Sequence, residues 1–184
     1  MSGLTEQIAA ANGFNLDALP ANQRGELIPE QAAQLYSRLF NPLILILLPI
    51  VVLFFQFRKS GYINGFSLTE PVLVVLQQMT TSAKVISGLL IALGIWGLVL
   101  VILLLLDIYG GQVNMIEGLG YRKMTTSKDE DGSKTTRLYY VIEDKKFSVQ
   151  RGGFMVFVDG SQYRAYFTPR RKILVNLEAL EFDQ

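Results

Sequence analysis

Hydrophobic positions along this chain follow three successive patterns. A sparse helical period runs to about position 40, two charge-free apolar runs fill the middle, and short stretches bounded by turn residues occupy the rest. The runs Pro42 to Phe57 and Val85 to Leu106 contain no Asp, Glu, Lys or Arg. The second has 22 residues, and at about 1.5 Å of rise each it slightly exceeds the roughly 30 Å of a bilayer's hydrocarbon core. The first, counted with Leu39 and Phe40, falls in the usual spanning range of roughly 17 to 25 residues. Both are expected to cross a membrane. Asn41-Pro42 caps or kinks the entrance to the first run, Pro49 predicts a bend by removing a backbone donor, and Arg58 and Lys59 end it.

Upstream, two short helical pieces are expected around the turn-rich centre Asn12-Gly13-Phe14-Asn15, with Pro20 and Pro29 as further punctuation. After Pro29, the residues Ala32, Leu35, Tyr36, Leu39 and Phe40 recur at spacings of three and four. This predicts an amphipathic helix lying in the headgroup region or on the protein's own surface. Between the runs, Thr69-Glu70-Pro71 resembles a helix start, so a helix is expected to begin near Glu70, with the polar stretch Gln77 to Lys84 at or outside an interface.

After Asp107 the pattern predicts strands near Gln112 to Met124, Lys134 to Glu143, Lys146 to Gln150, Phe154 to Val158, Gln162 to Thr168 and Ile173 to Asn176. Asp131-Gly132 and Asp159-Gly160 suit tight hairpin turns, where Gly accepts positive φ. The expected class is therefore membrane α + β. An N-terminal amphipathic helical tail (1–39) precedes a transmembrane hairpin (40–57 and 85–106) with a partly helical connection (58–84). A small antiparallel β domain (107–184), closed as a barrel or rolled, completes the chain.

Composition narrows the chemistry. The net charge is +1, and the segment from Asp107 onward carries 12 Lys/Arg against 11 Asp/Glu, so no bulk field points to nucleic acid. Cys and His are both absent. Disulfides, thiolate nucleophiles, Cys/His zinc sites, His-ligated haem and the commonest general base are thereby removed. Ser82 and Lys84 are two apart and do not face each other on a helix, and Asp159 and Glu143 form a carboxylate pair only if folding joins them. Gly118-Leu119-Gly120 lacks the rest of a dinucleotide fingerprint, and no Walker-type loop occurs. Lys128 to Ser133, with Asp129, Glu130 and Asp131, lacks the further ligands of an EF-hand and reads as a solvated hairpin tip. No enzyme activity, metal or cofactor is expected. Met1 to Ala11 lacks the features of a secretory signal, so no cleavage is expected.

Two sets of residues stand out as binding candidates. In the second run, Gly88 and Ala92 form a small-xxx-small pair, Gly94 and Gly97 add backbone-exposing positions, and Trp96 lies near the midpoint, away from the interfacial belt. These suit close helix packing, with the chain's own first span, a neighbouring subunit, or a bound pigment or lipid. In the last third, Arg164, Arg170, Arg171 and Lys172 lie among Tyr163, Tyr166 and Phe167. Such a surface can hold anionic headgroups, nucleic acid or an acidic partner, of which nucleic acid ranks last for a membrane-tethered domain of balanced charge, with an ordinary solvated strand as the plain alternative.

The segments Phe14-Asn15-Leu16-Asp17-Ala18-Leu19-Pro20-Ala21-Asn22-Gln23-Arg24-Gly25-Glu26-Leu27 and Pro29-Glu30-Gln31 resemble the tail of a group of uncharacterised bacterial two-span membrane proteins. The C-terminal part of that group is similar to Asp159-Gly160, Tyr163-Arg164, Tyr166-Phe167, Pro169-Arg170 and Leu177-Glu178 here. The resemblance implies the architecture and carries over no functional residue.

Arg58, Lys59 and Lys84 on the connection slightly favour an inside connection. Exporting only that short connection nevertheless moves less chain than exporting both tail and β domain, so a cell-membrane, multi-pass protein with both termini cytoplasmic is expected. The sequence thus predicts a non-catalytic accessory or structural subunit that packs on other integral-membrane subunits and lipid, without nucleic acid. A homo-oligomer is compatible with this. The alternative is a tethered sensor or adaptor whose β domain binds a headgroup, ligand or soluble protein.

Overall fold

The computed structural model describes residues 3–59, 80–128 and 132–180. The helix expected near Glu70 and the acidic residues Asp129, Glu130 and Asp131 lie outside the described residues. The chain divides into two compact units, one combining Met1–Gln34 with Leu106–Gln184 and the other comprising Leu35–Leu105.

The Leu35–Leu105 unit carries α4 (Phe40–Lys59) and most of α5 (Thr81–Gly110), which enclose the two apolar runs and add a turn or so at their ends. Two helical stretches, Pro29–Phe55 and Thr81–Gly110, are long and apolar enough to cross a membrane. Only 11% of the apolar window in each is buried, whereas the core helix of a soluble domain is mostly buried. From Ala83 to Gly97 the less exposed residues of α5, Ala83, Ser87, Leu90, Gly94 and Gly97, alternate at spacings of four and three, and Val101 and Leu104 continue the series. That period of 3.5 is the signature of a helix meeting a neighbour along one seam. On α4 the corresponding positions are Pro42, Ile46, Pro49 and Leu53.

The other unit is built on an antiparallel sheet of order β3-β2-β1-β4-β5, formed by β1 (Asn114–Lys128), β2 (Lys134–Ile142), β3 (Lys145–Ser148), β4 (Gln162–Phe167) and β5 (Leu174–Ala179). The sheet is open, so of the two expected forms, barrel or rolled sheet, the closed barrel is corrected. Its geometry explains why. Residues Asn114 to Leu119 of β1 pair with β4, whereas Gly120 to Lys128 pair with β2, so the two hairpins are staggered along one long strand. The edge at β5 is then covered by α1 (Gly3–Asn12), with the Thr5 hydroxyl accepting the Ala179 N–H at 3.0 Å.

A second correction concerns Phe154 to Val158, expected as a strand. Arg151–Val156 is a short helix, α6, packed on α1. A bare run of five apolar residues has no period that separates strand from helix, and here Gly153 lies so close to Asn12 that a side chain would collide with it. The turns at Gly132 and Gly160 do take positive φ, 84° and 81°.

The core of this unit is aromatic. Tyr140 stacks on Phe157 and Phe157 on Tyr163, both at 4.2 Å between ring centroids. Gly120 supplies the space, since a Cβ there would come within 2.5 Å of both Phe157 and Tyr163. Ile8 of α1 is fully buried in the same cluster. The rest of the tail, α2 (Leu19–Gln23) and α3 (Pro29–Ser37) after a 3-10 turn at Leu16–Ala18, brings a buried amide network with it. Asn22 and Gln31 exchange two bonds of 2.9 Å, Gln31 also donates to the Val175 carbonyl, and Asn176 donates to the Asn15 carbonyl at 2.8 Å. The N-terminal tail is therefore part of the same core as the sheet.

Candidate functional site

The four basic residues singled out by sequence fall into two environments. Arg164 lies on β4 between two carboxylates, donating to Glu117 at 2.5 Å and to Glu178 at 3.3 Å. Glu178 also accepts from the Tyr166 hydroxyl at 3.2 Å, and burial pushes the Tyr166 phenol above its usual pKa. This is a cross-strand network in which the guanidinium is already neutralised.

Arg170, Arg171 and Lys172 form the turn between β4 and β5. Its frame is Thr168, fully buried, whose N–H donates to the Ile173 carbonyl while its hydroxyl accepts the Ile173 N–H. Lys172 takes φ of 51°, a left-handed conformation costly for a side chain-bearing residue. What holds the turn is Asp107, in the last turn of α5, whose side chain is wholly buried. Its carboxylate accepts the N–H of Arg170 at 3.0 Å and of Arg171 at 2.8 Å, and the Arg170 guanidinium lies 3.7 Å away. Arg170 also donates to the Leu106 carbonyl at 3.1 Å, capping the helix C-terminus with a cation. The basic turn is thus fastened to Leu106 and Asp107, where the charge-free stretch ends. Tyr109, 78% exposed, sits beside that end.

Asp107 carries this arrangement and the sequence reading passed over it. The available signal was a lone acid abutting a charge-free run, with three consecutive cations elsewhere to answer it. Arg122 and Asp159 were likewise missed as a pair. Asp159 accepts from the Arg122 backbone N–H at 2.6 Å and from its guanidinium at 3.0 Å, and the Arg122 side chain holds its carboxyl below the usual range. Glu143 does not join Asp159 in any described hydrogen bond; its side chain lies against Gly118.

The candidate helix-packing residues also separate. Gly97 is buried, and a Cβ on it would stand 3.0 Å from the Pro42 carbonyl oxygen, Leu45 and Ile46, so it is the place where α4 approaches closely. Gly88 and Gly94 have nothing within 4 Å of such a Cβ. Gly88 and Ala92 are exposed, Gly94 is half-buried, and Trp96 is 60% exposed. At about 100° per residue, Gly88 and Ala92 lie on the side of α5 opposite the seam through Gly97. Ser87 is buried, and its hydroxyl has no hydrogen-bond partner among the described residues. No group of three or more potential metal ligands occurs among the described residues.

No protein-family model matches this chain. No curated protein and no solved structure matches it either.

Proposed function

We propose that this chain is a non-catalytic accessory subunit of a membrane complex, inserted as a two-span hairpin and bracing its partners with the folded unit outside the bilayer. The observation that carries the reading is the division of labour on α5. Gly97 serves the chain's own helix pair, while the face bearing Gly88, Ala92 and Trp96 is covered by none of the described residues. Small residues that expose backbone favour a neighbouring helix, and an indole N–H in mid-hydrocarbon gains from a partner that a lipid tail cannot supply.

The shared core of tail and sheet supports two crossings. Ile8 and Asn22 are buried with residues from the C-terminal half, so both ends of the chain belong on one side of a bilayer, and an even number of spans returns them there. We place that side in the cytoplasm, because only the short connection then has to be exported. The second reading, a sensor or adaptor binding lipid headgroups, draws support from the Asp107 clamp. It fixes the backbone of Arg170 and Arg171 beside Asp107, one residue past the charge-free run, where a spanning run would meet the headgroup layer.

A photo-crosslinking amino acid placed at Ala92 tests the first reading in living cells. A discrete adduct with one other membrane protein is expected from Ala92 and not from Val101, which lies on the seam. Equal, diffuse labelling from both positions, or lipid adducts only, would reject it.

A further inference from the structure

Beyond Leu119 the β1–β2 hairpin leaves the body of the sheet with one side of β1 unpaired. The Leu138 carbonyl accepts from Val149, so the even-numbered residues of β2 face β3 and the odd-numbered ones face β1. The register Thr125↔Arg137 and Ser127↔Thr135 then sets the odd residues of β1 toward β2, and points the N–H and C=O groups of Met124, Thr126 and Lys128 the other way. At the near end this outer side is occupied. Gly120 bonds to Ser161 and Gly160, and the Arg122 N–H donates to Asp159. From Met124 onward, no described residue pairs with it.

Met124 is the one residue of β1 lining a groove of about 700 Å³ that otherwise runs over β2 and β3 to α6, with Leu138, Val149, Phe154 and Met155 as its apolar walls and Arg137 and Arg151 among its polar ones. Met124 and Met155 are 64% and 68% exposed, so the apolar face of the hairpin continues past the core without cover. Among the described residues of the hairpin past Gly118 and of the groove lining, the charges are of one sign. Lys123, Lys128, Lys134, Arg137 and Arg151 surround the edge and groove, and the described residues of β1 past Glu117 and of β2 include no acid. Asp129, Glu130 and Asp131 follow Lys128 in sequence and lie outside the described residues.

We propose that the Met124–Lys128 edge is a docking strand for an extended, acidic segment of a partner polypeptide. The segment adds to the sheet antiparallel or parallel to β1 and sets an apolar side chain against Met124 and the groove. Main-chain bonds from Met124, Thr126 and Lys128 supply affinity, and the lysines select acidic over basic sequences. A second copy of the chain fits poorly. Self-pairing of the edge would gather Lys123 and Lys128 from both copies along one short ribbon. The proposal extends the subunit reading to the folded unit, and its test does not depend on that reading, since a membrane complex can still be isolated if the edge binds nothing.

The test uses the full-length protein in lipid nanodiscs and two fluorescent eight-residue peptides, one alternating Glu with Val or Thr, the other alternating Lys with the same residues. The acidic peptide is expected to bind and to slow amide exchange at Met124, Thr126 and Lys128. Thr126→Pro removes an N–H that points away from β2 and should weaken binding by about tenfold. The double change Lys123→Glu with Lys128→Glu leaves the ladder intact and should reverse the preference between the peptides. Equal affinity for both peptides, no binding up to millimolar concentration, or binding unaffected by both variants would overturn the proposal. So would a homodimer by native mass that Thr126→Pro disrupts.

Discussion

Asp107→Ala removes the anchor between the apolar helix and the basic turn. In the wild-type protein two charge-assisted bonds, of 3.0 and 2.8 Å, run from the Arg170 and Arg171 amides to a carboxylate with no exposed side-chain surface. Hydrogen bonds to charged groups contribute roughly 1.5–3 kcal/mol each. Arg170 is 43% exposed, so water recovers part of the loss, and the net cost is expected near the lower end of the sum, about 3 kcal/mol. At about 1.4 kcal/mol per decade, opening of the turn becomes roughly a hundredfold more frequent. Amide hydrogen exchange of the full-length protein in detergent measures this directly. The fragment spanning Phe167 to Leu174 should exchange about a hundredfold faster in Asp107→Ala. Asp107→Asn, which keeps one acceptor oxygen, should fall between. The segment Tyr140 to Phe147 should be unchanged, being held by the aromatic core. Wild-type exchange across the turn in the Ala variant would refute the claim that Asp107 holds it.

Gln31→Leu should destabilise the folded unit by about 2–3 kcal/mol, seen as a lower denaturation midpoint, because Asn22 and the Val175 carbonyl lose their buried partner. Gly97→Leu should lower the thermal stability of the helix pair and leave peptide binding at the β1 edge unaltered, since the added atoms meet the Pro42 carbonyl. Alkali should unfold the sheet unit cooperatively. Burial pushes the Tyr140 phenol from 10.0 up to about 12. A raised folded-state pKa gives stability that is complete below pH ~10 and lost as pH rises toward ~12, on the order of 2–3 kcal/mol. Tyr140→Phe should flatten that loss in a pH titration followed by tyrosinate absorbance and circular dichroism.

Some of this architecture was legible in the sequence for physical reasons that are local. A charge-free run long enough to cross hydrocarbon is itself the criterion, and α4 and α5 enclose Pro42 to Phe57 and Val85 to Leu106. Hairpin turns announced themselves through Gly132 and Gly160, which need positive φ. What stayed hidden depends on pairing between distant segments. Closure or opening of the sheet turns on how β1 divides itself between β2 and β4, and no residue in β1 encodes that division alone. The burial of Asn22, Gln31 and Asn176 is not written in any one of them, because only their mutual bonds make it tolerable. Among the candidate binding residues, Arg164 and Arg170 resemble free cations in sequence and are largely answered by Glu117, Glu178 and Asp107 once the chain folds. Gly97 and Gly88 look alike in the run, and only the position of α4 distinguishes them.

Native mass spectrometry of the protein extracted from its own membrane in mild detergent tests the central claim most directly. A single stoichiometric assembly with at least one different integral-membrane subunit is the predicted result. A lone chain, an assembly holding copies of this chain and no different membrane subunit, or a polypeptide released by alkaline carbonate without detergent would contradict it.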